Sequence, residues 1–174
     1  MMNKFIRILF FSVVWAVIGT GAGMAQEVPK AEVFAGYSFT RLNGTAPGEG
    51  VNANGASVSV AATVHKAVSL VADFGGYAGE GTTMYSYTFG PRFAYHSDAK
   101  ITPFAHFLFG GAKLSNPGNS SGFAFIGGGG LDYKMTDRVS VRVIQGELFH
   151  TNLLDSRQSH LRLSTGIVFR FGKR

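Results

Sequence analysis

Residues 159–171 alternate between two kinds of side chain, and this alternation limits the possible folds more than any other feature of the chain. In an extended strand, successive residues point to opposite faces. An unbroken apolar face opposite a face with two arginines is typical of transmembrane β-barrels, which have lipid outside and a polar interior. One face of this segment would carry Leu161, Leu163, Thr165, Ile167, Phe169 and Phe171, and the other would carry Arg162, Ser164, Gly166, Val168 and Arg170.

The N-terminal segment, residues 1–25, has the pattern of a cleavable signal peptide. Lys4 and Arg7 precede an apolar core of about eleven residues, and small residues precede the expected cleavage site. A membrane-spanning helix needs roughly twenty apolar residues, so this core is too short to be an anchor. We expect cleavage before Gln26, which leaves residues 26–174 as a single outer-membrane β-barrel domain.

Composition excludes several classes of function. The chain has no cysteine, so it has no disulfide, no thiolate metal site and no cysteine nucleophile. Its formal charge of +6 falls to about +4 without the signal peptide, and the basic residues form no run, so no nucleic-acid partner is predicted. Dispersed arginine inside a barrel is the interpretation we prefer. No cofactor and no metal are predicted.

Eight segments have the two-residue periodicity of β-strands, and none has a convincing helical stripe. Most of them reach the about nine to eleven residues that a tilted transmembrane strand requires. The barrel must close in lipid, because an open sheet edge would leave backbone groups without hydrogen bonds. The segments are 32–41, about 54–65, 68–77, 84–96, 102 to about 114, about 123–134, 138–150 and 159–171.

The connections between these segments alternate between short and long. Outer-membrane barrels have short periplasmic turns and longer external loops. The pattern therefore predicts an all-β fold, an eight-stranded antiparallel up-and-down transmembrane barrel with both termini in the periplasm. The short connections are 65–67, 97–100 and 135–137, and the longer ones, rich in Gly, Asn, Ser and Pro, are about 42–53, 78–83, 115–122 and 151–158.

The whole expected mature chain resembles the small eight-stranded outer-membrane β-barrels of the OmpA transmembrane-domain and OmpX kind. The sharpest part of the resemblance is the end of the last strand, where Ser164, Gly166, Phe169 and Phe171 look like the C-terminal signal read by the barrel-assembly machinery. The resemblance implies a monomer in the outer membrane, in contact with its lipid and lipopolysaccharide. It also implies external loops that are available to a surface partner.

Charged residues on the inward face form the main candidate site. They indicate either an ion-conducting lumen or a salt-bridge network that fills the barrel. We favour the network, because eight strands leave an interior just wide enough for side chains and buried charge is tolerated only when it is paired. By parity the inward residues are Glu32, Asp73, Arg92, Asp132, Arg138, Arg142, Arg162 and Arg170.

Two further polar residues have a facing that parity alone leaves open. Gln145 and Glu147 fall on the outward face of the seventh segment, near headgroup depth. A bulge near Gly146 would instead turn both inward, because one extra residue reverses the facing of every later side chain. Both arrangements are compatible with the sequence.

Four consecutive glycines, residues 127–130, lie within the sixth segment. They lack the lysine and the helix that follow a phosphate-binding loop. Glycine within a strand more often marks a close approach of neighbouring groups. We expect Gly128 and Gly130 to make room for arginines from neighbouring strands.

Histidines near the last connection raise the question of catalysis. His150 and His160 flank this connection, with Glu147 and Asp155 nearby, and these residue types suit a metal or an acid–base site. Some barrels of this size modify lipid A through a serine and a histidine, which the pair Ser159 and His160 resembles. The spacing matches no motif, so no catalytic residue is predicted.

The sequence therefore predicts a structural role in envelope integrity, or a surface interaction through the external loops. Three alternatives remain open: a narrow ion or solute channel, a lipid A-modifying enzyme, and a soluble periplasmic barrel of lipocalin type. In the soluble barrel the apolar face would point inward and bind a ligand.

Overall fold

The computed structural model describes residues 28–43, 50–79, 81–96, 99–115, 120–153 and 156–172, so the expected signal peptide lies outside the described residues. The elements are eight β-strands. In the described part of the chain, no helix is long and apolar enough to cross a bilayer. The strands are β1 (Ala31–Asn43), β2 (Gly50–His65), β3 (Val68–Gly79), β4 (Thr82–Ala94), β5 (Ile101–Ser115), β6 (Ser120–Lys134), β7 (Val139–Leu153) and β8 (Ser156–Phe171).

The strands form a closed barrel in sequence order. Each strand pairs with the next in antiparallel orientation, and β8 closes the barrel on β1, with Ala31 opposite Phe171. This architecture confirms the predicted fold class. We call the end with Ala31 and Phe171 the proximal end and the end with connections 44–49, 80–81, 116–119 and 154–155 the distal end.

The distal connections are shorter than the sequence predicts. Much of the Gly-rich and Asn-rich sequence there continues the strand ladders, so the connection predicted at 78–83 shrinks to 80–81. Gly81 has a φ of 76°, which a glycine adopts without the steric cost of a side chain. The expected asymmetry between short and long connections is therefore weak, and the proximal connection 95–100 is as long as the distal one at 44–49.

The outer face of the barrel is apolar and the inner face is largely polar. Large apolar side chains on the outside are about half exposed, as Leu70, Phe74 and Tyr87 illustrate, while charged side chains on the same strands are buried inside. An exposed apolar belt of this extent is expected for a surface that contacts lipid. The lipocalin-type alternative is wrong, because it requires the opposite facing.

A bulge in β7 determines which way Gln145 and Glu147 face. The register between β7 and β8 shifts between Arg142 and Gln145. Val143 and Ile144 both lie on the outside as neighbours, with 56% and 48% of their surface exposed. The extra residue reverses the parity of the rest of the strand, so Gln145 and Glu147 point inward and are buried.

Candidate functional site in the barrel interior

Two groups of polar residues and one apolar layer fill the barrel from the proximal to the distal end. We define them here and use these names below. The proximal cluster is Glu32, Arg92, Asp132, Arg142, Gln145 and Arg170; the middle cluster is Asp73, Tyr77, His106, Glu147 and Arg162; and the distal plug is Met84, Leu108, Ala112, Ala124, Ile126 and Phe149.

The middle cluster is organised around Arg162, whose side chain is completely buried. Its Nε and Nη2 donate to both oxygens of Glu147 at 2.5 and 2.6 Å, which is a bidentate pair. Its Nη1 donates to Asp73 Oδ1 at 3.0 Å and to Tyr77 Oη at 2.5 Å. His106 Nε2 lies 2.8 Å from Glu147 Oε1. One guanidinium therefore links β3, β7 and β8 across the lumen.

The proximal cluster holds Arg142 in a different way. Its Nε and Nη2 donate to the two oxygens of Asp132 at 2.8 and 3.1 Å, and its Nη1 donates to Gln145 Oε1 at 2.6 Å. The guanidinium also contacts two phenyl rings, with centroids at 4.3 Å for Phe34 and 4.4 Å for Phe104. Cation–π contacts of this kind are strongest between buried groups, and all three of these side chains are buried.

The remaining carboxylate of the proximal cluster is shared. Glu32 accepts a hydrogen bond from Arg170 Nε at 3.1 Å through one oxygen and from Arg92 Nη2 through the other. Arg92 Nε and Arg170 Nη2 are buried and have no hydrogen-bond partner among the described residues. The cluster thus has three arginines for two carboxylates, with donors left over.

Glycines create the space for these clusters. A Cβ at Gly128 would lie 2.6 Å from Glu147 Cγ, and a Cβ at Gly130 would lie 2.8 Å from Phe104 Cζ. The sequence predicts that both glycines make room for arginines. They instead make room for the carboxylate and the ring that hold Arg162 and Arg142.

The distal plug is apolar and closely packed. Its members are at most 1% exposed and form one cluster. Constrictions lined by apolar side chains exclude water and ions even without a charged barrier. Sequence parity places all of these residues inward except Phe149, which reaches the interior through the register shift in β7. Apolar inward residues give no separate signal of a closed layer.

The structure places seven of the eight predicted charged residues inside the barrel, each with an ion-pair partner. The prediction for Arg138 is wrong, because β7 starts one residue later and this side chain is exposed in the connection at 135–138. Its backbone oxygen accepts a hydrogen bond from Arg170 N at 2.8 Å.

The sequence-based set lacks several residues that complete the clusters. It contains five arginines and only three carboxylates, so it requires another inward acid. That imbalance is a signal that favours the bulge and the inward facing of Glu147. The other residues it lacks are Phe34, Tyr77, Phe104, His106 and Gln145.

The two histidines near the last connection point to opposite faces of the barrel wall. His160 points inward, with its Nε2 3.0 Å from Thr151 Oγ1. His150 points outward, with its Nδ1 2.8 Å from Ser159 Oγ. Glu147 is bound to Arg162, while Asp155 lies outside the described residues. Among the residues that the structure describes, no three metal-ligating side chains come together.

The residues of the predicted assembly signal lie on both faces of β8. Ser164 Oγ is buried 2.8 Å from Ser38 Oγ, and Gly166 pairs with Gly36 in the β1–β8 register. Phe169 and Phe171 are exposed on the outside near the proximal end. Recognition of this segment by the assembly machinery stays a prediction.

Comparisons with solved structures match this architecture. Neisserial surface protein A gives a TM-score of 0.66 at 11% identity, over 82% of this chain and 97% of its own. Ail of Yersinia pestis gives 0.54 at 17% identity, over 81% and 99%. The N-terminal β-barrel domain of Pseudomonas aeruginosa OprF gives 0.53 at 14% identity, over 83% and 100%.

No protein-family model matches the sequence, and no curated protein matches it. The identities to the solved barrels are low, so these similarities bear on the fold and not on the activity. The chain has the fold of the small eight-stranded outer-membrane β-barrels.

Proposed function

We propose that the protein is an outer-membrane barrel with a structural or surface-interaction role and a closed lumen. The observation that carries this proposal is the completely buried Arg162, which binds two carboxylates and a tyrosine across the interior. A buried guanidinium with this many partners is costly to displace. The distal plug adds an apolar barrier on the other side of it.

The partners follow from the two faces of the barrel. The exposed apolar belt would contact outer-membrane lipid and lipopolysaccharide, and β8 would be the segment read by the barrel-assembly machinery. The proximal end would face the periplasm and the distal end the exterior. One structural neighbour, Ail, has been crystallised with the heparin analogue sucrose octasulfate. By analogy, the distal connections 44–49 and 116–119 are our candidates for contact with a surface partner.

Membrane fractionation with a heat-modifiability gel tests the location and the barrel together. An outer-membrane band that shifts on boiling is expected. A soluble periplasmic protein without a shift would contradict the proposal. Planar-bilayer recording of the wild-type protein then tests the lumen. We expect no regular current steps above the detergent blank, and reproducible steps would favour the channel alternative.

A second candidate function, hydrolysis of an acyl ester in the outer leaflet, rests on one contact. Ser159 and His150 lie 2.8 Å apart on the exposed face near the distal end. This pairing of hydroxyl and imidazole is that of an activated nucleophile. No described carboxylate is bonded to His150, which is why this function ranks second. Mass spectrometry of lipid A from cells with Ser159→Ala, compared with the exposed control Ser121→Ala, tests it; identical spectra would exclude it.

A further inference from the structure

We propose that the proximal end of the lumen binds a small inorganic anion, with chloride as the simplest example, between Arg92 and Arg170. The site is separate from the closed middle of the barrel and does not depend on the function proposed above. Its basis is a local excess of buried positive charge together with hydrogen-bond donors that have no acceptor among the described residues.

The excess charge is visible in the pairing. Both oxygens of Asp132 already accept hydrogen bonds from one guanidinium, that of Arg142. Glu32 is then the only carboxylate bonded to the other two arginines of the cluster in the described structure. Over the described lumen four arginines face four carboxylates, but the middle cluster holds two of these carboxylates on Arg162 alone. Within the proximal cluster, two guanidiniums around one carboxylate therefore leave one positive charge without a described counter-charge, and buried charge of this kind is unfavourable until it is paired.

The free donors belong to these same two arginines. Arg92 and Arg170 are 5% and 9% exposed, and Arg92 Nε and Arg170 Nη2 have no acceptor among the described residues. Both guanidiniums are bonded to one Glu32 carboxylate, so they are close neighbours. A third buried polar atom without a described partner, Ser140 Oγ, lies at the same end of the barrel.

The site lies close to the proximal rim of the barrel. Arg170 precedes the last residue of β8, and Arg92 is near the end of β4, so both lie close to the proximal rim. His96 follows β4 at this rim, and its Nδ1 is also buried without a described partner. Burial, with the nearby positive charges of Arg170 and Arg92, lowers the pKa of His96 to about 4. His96 is therefore neutral at pH 7 and adds no positive charge to the cluster.

An anion explains this arrangement better than water does. A water molecule would accept hydrogen bonds from the free N–H groups but would leave the positive charge uncompensated. A small anion would accept the same bonds and neutralise the cluster. A phosphate monoester or a lipid headgroup is a poorer match, because the donors are buried beneath the rim and surrounded by side chains.

The line width of the 35Cl NMR signal tests the site in detergent-folded protein. Wild-type protein is expected to broaden the chloride signal beyond the detergent blank, and added bromide should reverse the broadening. Arg170→Gln should lose the excess broadening. Arg138→Gln is the matched control, because it removes an exposed arginine at the same rim. Equal losses in the two variants, or no excess in the wild type, would overturn the proposal.

A variant that is expected to increase chloride binding distinguishes an effect on the site from a loss of the fold. Glu32→Gln removes the carboxylate that competes with the anion, so the chloride signal should broaden further. If Arg170→Gln does not fold, a bromide-soaked crystal of the wild-type protein decides the question. An anomalous peak within hydrogen-bond distance of Arg92 and Arg170 supports the site. Its absence contradicts it.

Discussion

The middle and proximal clusters differ in the number of carboxylates that pair with each buried arginine. In the middle cluster, one arginine has two carboxylates and a tyrosine. In the proximal cluster, three arginines share two carboxylates and two aromatic rings, and N–H groups are left over. The difference indicates that the middle of the barrel is built for closure. The proximal cluster instead keeps one more positive charge than it has carboxylates, and this is the charge that the proposed anion would neutralise.

The largest expected effect comes from breaking the middle cluster. Glu147→Gln leaves Arg162 with one carboxylate and removes the charged partner of His106. We expect a loss of about 3 kcal/mol in the free energy of unfolding, because the buried guanidinium loses its bidentate partner and keeps a single carboxylate, Asp73. Urea unfolding in lipid vesicles measures it. Asp73→Asn should cost less, because it removes one hydrogen bond from Arg162 and leaves the bidentate pair with Glu147 in place; an equal or greater loss would show that the bidentate pair does not dominate the middle cluster.

The next effect tests the space that glycine provides. At Gly128 a Cβ would lie 2.4 Å from the backbone oxygen of Gly146, whereas at Gly127 the nearest atom would be Phe107 Cδ1 at 3.7 Å. Gly128→Ala should therefore destabilise the barrel by about 1–3 kcal/mol through overpacking, and Gly127→Ala should be nearly neutral. The two variants differ by one position in β6. Similar urea midpoints would show that the middle cluster does not need this space.

A smaller effect separates the aromatic contribution to the proximal cluster from its ion pairs. Phe104→Leu removes the ring that lies 4.4 Å from Arg142 and 5.5 Å from Arg92. We expect a loss of about 1 kcal/mol from cation–π interaction in this water-poor site. Phe74→Leu, which changes an exposed phenylalanine of the outer belt, is the control. Equal urea midpoints for the two variants would show that the Phe104 ring does not stabilise the proximal cluster.

The smallest effect concerns an exposed pair. Lys134 Nζ and Asp137 Oδ1 lie 2.8 Å apart at the proximal end, with both side chains largely in solvent. Asp137→Asn should change stability by less than about 1 kcal/mol, because surface ion pairs contribute little. The same unfolding assay checks this value. A loss as large as that of Glu147→Gln would mean that burial is not what distinguishes the interior pairs.

Most of the fold could be predicted from the sequence because a transmembrane strand has one dominant rule, the alternation of lipid-facing and inward residues. That rule placed Arg162 and Arg170 inside and Leu161 and Phe169 outside. It could not place Arg138, because the alternation in the sequence extends one residue beyond the start of β7, into the connection.

The candidate site was harder to predict because its partners come from distant strands. The contact between Arg162 and Asp73 joins residues 89 positions apart, and the contact between Arg170 and Glu32 joins residues 138 positions apart. Periodicity gives the facing of each side chain but not which residues meet across the lumen. The predicted distal connections are longer than the observed ones because Gly and Asn are typical of turns. Here these residues continue the strand pairing beyond the apolar belt.

The bulge at Val143 and Ile144 has a consequence for how this strand tolerates change over evolution. A deletion of either residue would keep every other amino acid in the chain and still turn the second half of β7 inside out. Glu147 would then face lipid, and Leu148 would occupy the place of a charge. Length at this one point is therefore under stronger constraint than the identity of either exposed residue. A relative that lost the bulge would need a different acid, on a different strand, to serve Arg162.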